Sequence, residues 1–299
     1  MASSILATAA GAELNDTPEP APGGRRRRGL LPFSPWHLLL MPIALVFALP
    51  LVQMILTSLM NDKEINAFPP KLIPSSLTLA GYVGFFGDSL APRWLLNTVI
   101  VATISVASHL VLCSMAGYGY ARLRFRGRTL GFFAIVGTIM IPTQVLMIPT
   151  YVMFSRLGLV DTLAAAWVPW LTSAFGIFLM RQFFLSLPKE LEEAGTIDGC
   201  TTFGVFWRIV LPLAKPALAT LAIFTLLNSW NDLVWPLIAI NNQDNFTIQV
   251  GLTTFQGTRR TQWSLLMAGN VVATMPLIIA FIVAQKQFVK TMTFSGIKG

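Results

Sequence analysis

The amino-acid sequence predicts an all-α membrane protein with six transmembrane helices. Hydrophobic residues make up 54% of the 299 residues and charged residues only 11%, whereas soluble proteins carry roughly 25% charged residues. Six apolar stretches are each long enough to cross a hydrocarbon core. Because lipid cannot satisfy backbone polar groups, these stretches should be helices. The sequence lacks the alternating ten-residue segments that are typical of a transmembrane β-barrel.

The predicted spans lie at intervals along almost the whole chain and define a membrane domain over residues 34–290. In order, they cover residues 38–58, 94–118, 130–155, 163–183, 216–238 and 265–285. Prolines interrupt the third and fourth spans at Pro142, Pro149 and Pro169, and each removes a backbone hydrogen bond and can kink its helix. We interpret these kinks as ordinary helix geometry in preference to hinges.

Positive charges indicate how the predicted bundle is oriented. Most of the 21 Lys and Arg residues fall in four segments that alternate along the chain. They are Arg25 to Arg28, then Arg122, Arg124, Arg126 and Arg128, then Arg181, Lys189, Arg208 and Lys215, and finally Lys286, Lys290 and Lys298. By the positive-inside rule these segments lie in the cytoplasm, so both termini are predicted to be cytoplasmic.

The two tails, residues 1–33 and 291–299, are predicted to lie outside the bundle. Residues 1–24 contain few bulky apolar side chains, so we expect disorder. The run Arg25 to Arg28 precedes a full-length span with no small-residue cleavage site after it, which argues against a signal peptide. We interpret the run as an anchor at an anionic leaflet, in preference to a nucleic-acid-binding segment.

The connection between the fourth and fifth spans, residues 184–214, carries the strongest local pattern. Pro188 and the glutamates that follow it favour the start of a short helix. Gly199 can end that helix in the left-handed conformation, and Thr201 or Thr202 can cap the next one. In the second helix, apolar residues recur with helical spacing and predict one aromatic face that ends at Pro212. These residues are Phe203, Phe206, Trp207 and Val210. Such a segment is expected to lie on lipid headgroups or to dock a protein, and the pattern alone leaves both open.

The same segment also matches a longer motif. It reads Glu193-Ala194-Gly195, three residues, Gly199, nine residues and Ile209-Val210-Leu211-Pro212. This resembles the EAA loop of binding-protein-dependent ABC importers, E-A-A, three residues, G, nine residues and I-x-L-P. Gly195 replaces the second alanine, which is expected to loosen the first helix slightly.

Further motifs resemble the carbohydrate-uptake branch of these importers, similar to the maltose-type permease. They are Leu72-Ile73-Pro74-Ser75, Trp230-Asn231-Asp232 and Gln287-Phe288-Val289-Lys290. The resemblance covers about residues 36–299. It implies a type I ABC importer-like fold and a permease subunit in the plasma (inner) membrane of a bacterium.

The resemblance also implies partners and a role for the loop. The chain would bind no cofactor or metal itself, and two copies of an ABC ATPase subunit would use ATP and Mg. A homologous second permease would complete the pathway, and an extracytoplasmic binding protein would deliver the solute. The loop would insert into the ATPase as a coupling helix. The residues assigned to coupling are Glu192, Glu193, Ala194, Gly195, Asp198, Gly199, Phe203, Phe206, Trp207, Ile209, Leu211 and Pro212.

Other classes of membrane protein fit the sequence less well. No lysine follows a glycine, so the phosphate-binding loop G-x-x-x-x-G-K-[ST] cannot occur. An ion-coupled secondary carrier would place carboxylates within its spans, yet only Asp232 lies in one, near the outer end of the fifth span. An H-E-x-x-H metalloprotease motif is absent, and His37 and His109 are the only histidines.

Polar residues within the spans are the candidates for contact with solute. A cluster toward the outer end of the fifth span comprises Asn228, Trp230, Asn231, Asp232 and Trp235. Amides and aromatic faces suit sugars, but an interfacial aromatic belt or a docking edge for the binding protein explains the cluster equally well. His109 in the second span is predicted to make an interhelical hydrogen bond, with a pathway role as the alternative.

The solute remains open between a disaccharide, an oligosaccharide and glycerol-3-phosphate. The spans contain no arginine cluster that would hold an anion, which favours a neutral sugar.

Overall fold

The computed structural model describes residues 36–69, 71–87, 90–257 and 261–295. The predicted N-terminal tail and its arginine run lie outside the described residues. The chain divides between Ala48 and Leu49 into two units, and the described part of the first unit is residues 36–48 of the first helix. The cores, the cavity and the loop described below all belong to the second unit.

Three helices are individually long and apolar enough to cross a membrane. They are α1 (Trp36–Ser58), α4 (Ala91–Arg122) and residues Trp263–Val283 of α14 (Trp263–Ser295). These helices match the predicted first, second and sixth spans. Helix α14 continues to Ser295, into the segment predicted as a C-terminal tail. Four further short helices are α2 (Asp62–Ile65), α3 (Ala80–Gly87), α12 (Val234–Ala239) and α13 (Ile248–Thr253).

The predicted third and fourth spans are broken helices. In the third, α5 (Arg128–Thr138) and α6 (Thr143–Arg156) meet at a bend of 101°. Pro142 lies at this bend, immediately before α6. The fourth consists of two 3₁₀ turns, Leu163–Ala166 and Val168–Trp170, followed by α7 (Ala174–Ser186), with a bend of 42°. The chain therefore has up to six spans if each bent pair crosses once.

The predicted fifth span, residues 216–238, is wrong as a single helix. Helix α11 (Lys215–Trp230) ends at Trp230, and α12 begins separately at Val234. Asn231 closes α11, because both its backbone N–H and its Nδ2 donate to the carbonyl of Leu227. Pro236 has no N–H with which to continue the helical bonding past Asp232. Sequence hydropathy could not distinguish this break from an unbroken apolar stretch.

Two buried clusters pack against opposite ends of α4. At its N-terminal end, Trp94 packs on Phe246 and Phe255, and its Nε1 donates to the carbonyl of Gln243 at 2.8 Å. At its C-terminal end, Tyr118 packs on Phe184 of α7. The backbones of α4 and α7 approach closely at Gly117, where an added Cβ would lie 2.8 Å from Met180 Cβ. Helix α4 is thus held along its length by its neighbours.

Candidate coupling loop and bundle cavity

The loop at residues 184–214, which we call the coupling loop, begins with helix α8 (Glu190–Ile197). The predicted acidic first turn is present, with Glu190, Glu192 and Glu193 at the N-terminal end. Gly199 ends the helix with φ of 85°, and Cys200 N–H donates to the carbonyl of Gly195 at 3.0 Å. Together with the Gly199 N–H to Thr196 bond, this is a Schellman motif. The predicted left-handed turn at Gly199 is confirmed.

The second helix of the coupling loop begins as predicted but continues differently. Thr201 caps it by accepting a hydrogen bond from Gly204 N–H at 3.2 Å. It comprises α9 (Thr202–Val205), a π-helical turn (Phe206–Val210) and α10 (Leu211–Leu213), so it does not end at Pro212. A bend of 78° then leads into α11.

The predicted aromatic face is present, since the rings of Phe203, Phe206 and Trp207 contact one another with centroids 5.7 to 6.5 Å apart, but its residues differ in burial. Phe206 and Val210 are buried, whereas Phe203 and Trp207 are 61% and 43% exposed. Phe206 packs on Tyr118 of α4 with ring centroids 5.0 Å apart. One pair of apolar residues therefore holds the loop against the bundle, and the other pair is available to a partner.

The adjacent glutamates Glu192 and Glu193 face different environments. Glu192 Oε1 lies 2.6 Å from Arg122 Nε at the end of α4, in an ion pair without hydrogen-bond alignment. Tyr118 Oη donates to Glu192 Oε2 at 3.1 Å, and Arg122 Nη2 donates to the carbonyl of Leu187 at 2.6 Å. Glu193 is exposed. Of the two carboxylates, the structure leaves only that of Glu193 open to another protein.

The exposed surface of the coupling loop combines acidic and apolar groups. Ile197, at the end of α8, is 85% exposed and was not predicted as a contact residue. Its signal in the sequence is an isoleucine at the end of an acidic helix of only eight residues. The exposed residues among those predicted for coupling are Glu193, Ala194, Asp198, Gly199, Phe203, Trp207 and Pro212. Ile209 and Leu211 are half-buried beneath them.

Gly195 lies where the two helices of the coupling loop touch. It is buried, and an added Cβ would overlap Ile209 Cδ1 and lie 3.4 Å from Val205 Cγ2. The expectation that glycine merely loosens α8 is therefore incomplete, because the missing side chain also makes room for Ile209.

A cavity of about 570 Å³ opens among α4, the second 3₁₀ turn, α7 and α11, with Thr143 of α6 at its edge. Its lining is rich in hydroxyl groups and, among the described residues, contains no Lys or Arg. The polar lining residues are Ser105, His109, Thr143, Thr172, Ser173, Thr225, Asn228, Ser229 and Asp232. The aromatic lining residues are Trp170, Phe175 and Phe224. We call this space the bundle cavity.

Three of the six predicted pathway residues line the bundle cavity, namely His109, Asn228 and Asp232. Trp230 and Trp235 are buried elsewhere, where their Nε1 atoms donate to the carbonyls of Ala273 at 2.9 Å and Ala165 at 2.8 Å. The structure therefore gives both tryptophans packing positions. Asn231 is exposed and does not line the cavity.

The hydrogen bond of His109 differs from the prediction. Its Nδ1 donates to the carbonyl of Ser105, one turn earlier on the same helix, at 2.8 Å. The predicted interhelical bond is wrong for this ring atom. A neighbouring interhelical bond instead joins Ser229 Oγ of α11 to Ser105 Oγ at 3.3 Å.

The sequence contains a pattern for the cavity lining that the predicted set of pathway residues includes only in part. Thr225, Asn228, Ser229 and Asp232 follow the i, i+3, i+4, i+7 spacing of one helix face and all line the cavity. The predicted cluster instead included the tryptophans beside them, near the end of the span. Among the described residues, no group of three or more His, Cys, Asp or Glu side chains is placed to hold a metal ion.

Known proteins resemble this chain over most of its length. Residues 110–294 match the family described as binding-protein-dependent transport system inner membrane component. The arabinooligosaccharides transport system permease protein AraQ of Halalkalibacterium halodurans is 37% identical over 86% of this chain and 93% of that protein. The sn-glycerol-3-phosphate transport system permease protein UgpE of Salmonella typhimurium is 33% identical over 90% of this chain and 98% of that protein.

Solved structures support the fold. A chain of a bacterial ABC transporter that imports the acidic polysaccharide alginate superposes with a TM-score of 0.74 at 24% identity. The match covers 85% of this chain and 98% of that one. The type I importer fold that the sequence resemblance implied is therefore confirmed, as is the resemblance to permeases of the carbohydrate-uptake branch. The chain belongs to the family of binding-protein-dependent transport system inner membrane components.

Proposed function

We propose that this chain is the permease subunit of an ATP-driven importer and crosses the inner membrane six times with both termini in the cytoplasm. A homologous second permease completes the pathway, and an extracytoplasmic binding protein delivers the solute. Two copies of an ABC ATPase subunit bind ATP and Mg and dock on the coupling loop. The observation that carries this proposal is the exposed acidic and apolar surface on both sides of the Gly199 turn.

The surroundings of the coupling loop support its cytoplasmic position. A cleft beside α8 is lined by Arg124, Arg128 and Lys189 together with Glu193. The positive-inside rule assigns such an arginine-rich segment to the cytoplasm, where the ATPase is found. An interfacial helix pair would bury its aromatic residues in lipid, but here Phe206 is already buried within the protein. The docking interpretation therefore explains more of the loop than the lipid interpretation.

We propose that the solute passes through the bundle cavity and is a neutral oligosaccharide. Hydroxyl and amide side chains exchange hydrogen bonds with sugar hydroxyls, and aromatic faces contact apolar C–H patches. The lining, within the part of the chain that the structure describes, offers no cation to a phosphate or a uronate, and it includes the carboxyl group of Asp232. This chemistry favours a substrate like that of the AraQ relative over glycerol-3-phosphate, the substrate named for UgpE.

Reconstitution tests this proposal. Tagged permease should co-purify with its ATPase, and vesicles containing the assembled importer and its binding protein should take up arabinooligosaccharide with ATP but not glycerol-3-phosphate. Uptake driven by a proton or sodium gradient without ATP would contradict the assignment. Cysteines placed at Ser3 and Gly299 should be shielded from an impermeant reagent in intact cells, and labelling of either would overturn the topology.

A further inference from the structure

The ion pair between Glu192 and Arg122 connects the coupling loop to the helix that lines the bundle cavity. Both side chains are largely buried, with 16% and 6% of their surfaces exposed. Arg122 also donates to the carbonyl of Leu187, where α7 leads into the loop, and Tyr118 donates to Glu192. Phe206, from the second half of the loop, packs on the same tyrosine. The end of α4 therefore holds both halves of the coupling loop.

The other contacts of α4 make it suitable to transmit a movement. His109, which lines the cavity, and Arg122 lie on this uninterrupted helix, separated by about 20 Å at 1.5 Å per residue. Near the loop, α4 and α7 are in close backbone contact at Gly117. Arg181 of α7 donates from Nε to the carbonyl of Tyr120 at 3.2 Å and covers the ring of Phe132. These contacts tie α4 to α7 and α7 to α5, and the ion pair between Arg122 and Glu192 adds α8.

The connection from the coupling loop to α11 is different. The chain bends by 78° between Leu213 and Lys215, and Ala214 is the single residue between the two helical segments. A bend of this kind is where a hinge can absorb a change of backbone angle. A route from the loop to the cavity that avoids this bend runs through α4.

We propose that Tyr118, Arg122 and Glu192 are positioning residues that make α4, α7 and α8 one rigid body, so that movement of the docked loop displaces Ser105 and His109 in the cavity. This inference rests on the proposed function, since it assumes that an ATPase moves the loop. It assigns Glu192 to contact within the chain and leaves Glu193 to face the ATPase.

Uptake by the assembled importer tests the positioning role. Glu192→Gln keeps the size of the side chain and an acceptor for Tyr118 but removes the ion pair. We expect the ATPase to co-purify normally, ATP hydrolysis to persist, and solute moved per ATP to fall by about tenfold. Glu190→Gln, a change at an exposed glutamate of the same helix, is the matched control and should leave this ratio unchanged. An unchanged ratio in Glu192→Gln, or an equal fall in the control, would overturn the inference.

A distance measurement tests the rigid body independently of transport. Nitroxide labels at Glu190 of α8, an exposed position outside the residues assigned to coupling, and at Met115 of α4, with Cys113 and Cys200 replaced by serine, should keep their separation within about 2 Å between nucleotide-free and ATP-trapped importers. In Glu192→Gln the same distance should change between the two states. A change as large in the parent would overturn the inference. If the ATPase does not co-purify even with the parent, the proposed function fails, and that failure is distinct from the failure of this inference.

Discussion

The coupling loop takes its shape from residues that are neighbours in the sequence, whereas the bundle cavity takes its lining from separate segments. The Schellman motif at Gly199 and the cap at Thr201 each join residues within five positions of one another. The cavity instead brings Ser105 of α4, Ser173 before α7 and Asn228 of α11 together across more than a hundred positions. The loop is therefore a local structure and the cavity a tertiary one.

This difference predicts how each region responds to substitution. A local structure depends on backbone conformation, so one incompatible residue should disturb the whole loop. The cavity is built from many side chains that each contribute a small part of the lining. Single changes there should reduce transport while leaving the fold and the partners in place.

The largest effect is expected for Gly199→Val. At φ of 85° a β-branched residue is strained by about 1–2 kcal/mol, and the loop should turn differently to relieve that strain. We expect ATPase co-purification and uptake to be lost. No neighbouring atom of the described residues lies within 4 Å of a Cβ added at this position, so Gly199→Asn is an informative control. Asparagine tolerates the left-handed conformation and should retain assembly. If the valine and asparagine variants lose ATPase co-purification and uptake equally, the left-handed conformation at Gly199 is not what docking requires.

The next largest effect is expected within the cavity, for Asn228→Leu. This asparagine lines the cavity while its Nδ2 donates to Phe224, so its Oδ1 is the group we expect to meet a sugar hydroxyl. Loss of one such hydrogen bond should reduce uptake by about tenfold without affecting ATPase co-purification.

Asn231→Leu is a matched control for this prediction. Asn231 makes the same kind of bond to the carbonyl four residues earlier, at the same distance of 2.9 Å, and its Oδ1 also accepts from Gln249 Nε2 at 3.5 Å, but it does not line the cavity. Its replacement should reduce uptake less. Equal losses in the two variants would mean that the hydrogen bond to the helix backbone, and not contact with solute, explains the phenotype.

The sequence predicted those parts of the molecule that depend on composition or on near neighbours. Hydropathy located α1, α4 and α14, and the glycine and threonine signals located the turn and cap of the loop. It did not predict that Glu192 would be buried and Glu193 exposed, because the partner of Glu192 is Arg122, at the end of a helix 70 positions earlier. Nor could it assign Trp235 to the core, since an aromatic residue near the end of a span fits an interfacial belt equally well.

A smaller effect, on stability, is expected for Trp235→Phe. The indole is fully buried, packs edge-on against Phe154, and donates from Nε1 to the carbonyl of Ala165. Losing the hydrogen bond and part of the ring should destabilise the protein by about 1–3 kcal/mol. The apparent Tm of the detergent-solubilised permease should therefore decrease, while the solute preference of the remaining folded importer stays the same. Trp263→Phe, at an exposed position, should leave Tm unchanged. A changed solute preference in Trp235→Phe would instead indicate that Trp235 contributes to the solute pathway.

The smallest effect is expected for Gly195→Ala, because two terms of opposite sign act at this position. Alanine favours the helix by about 1 kcal/mol relative to glycine, but its Cβ would overlap Ile209 Cδ1, and such overpacking costs about 1–3 kcal/mol. That atom is the end of a flexible side chain, so part of the cost can be relieved by a rotation. Ile209→Val removes the overlapping atom and is the appropriate second substitution. The double variant should be more stable than the sum of the two single changes predicts, by about 0.5 kcal/mol or more. Additive changes in Tm would show that Gly195 and Ile209 do not compete for the same space, and that the two helices of the coupling loop pack less closely than we describe.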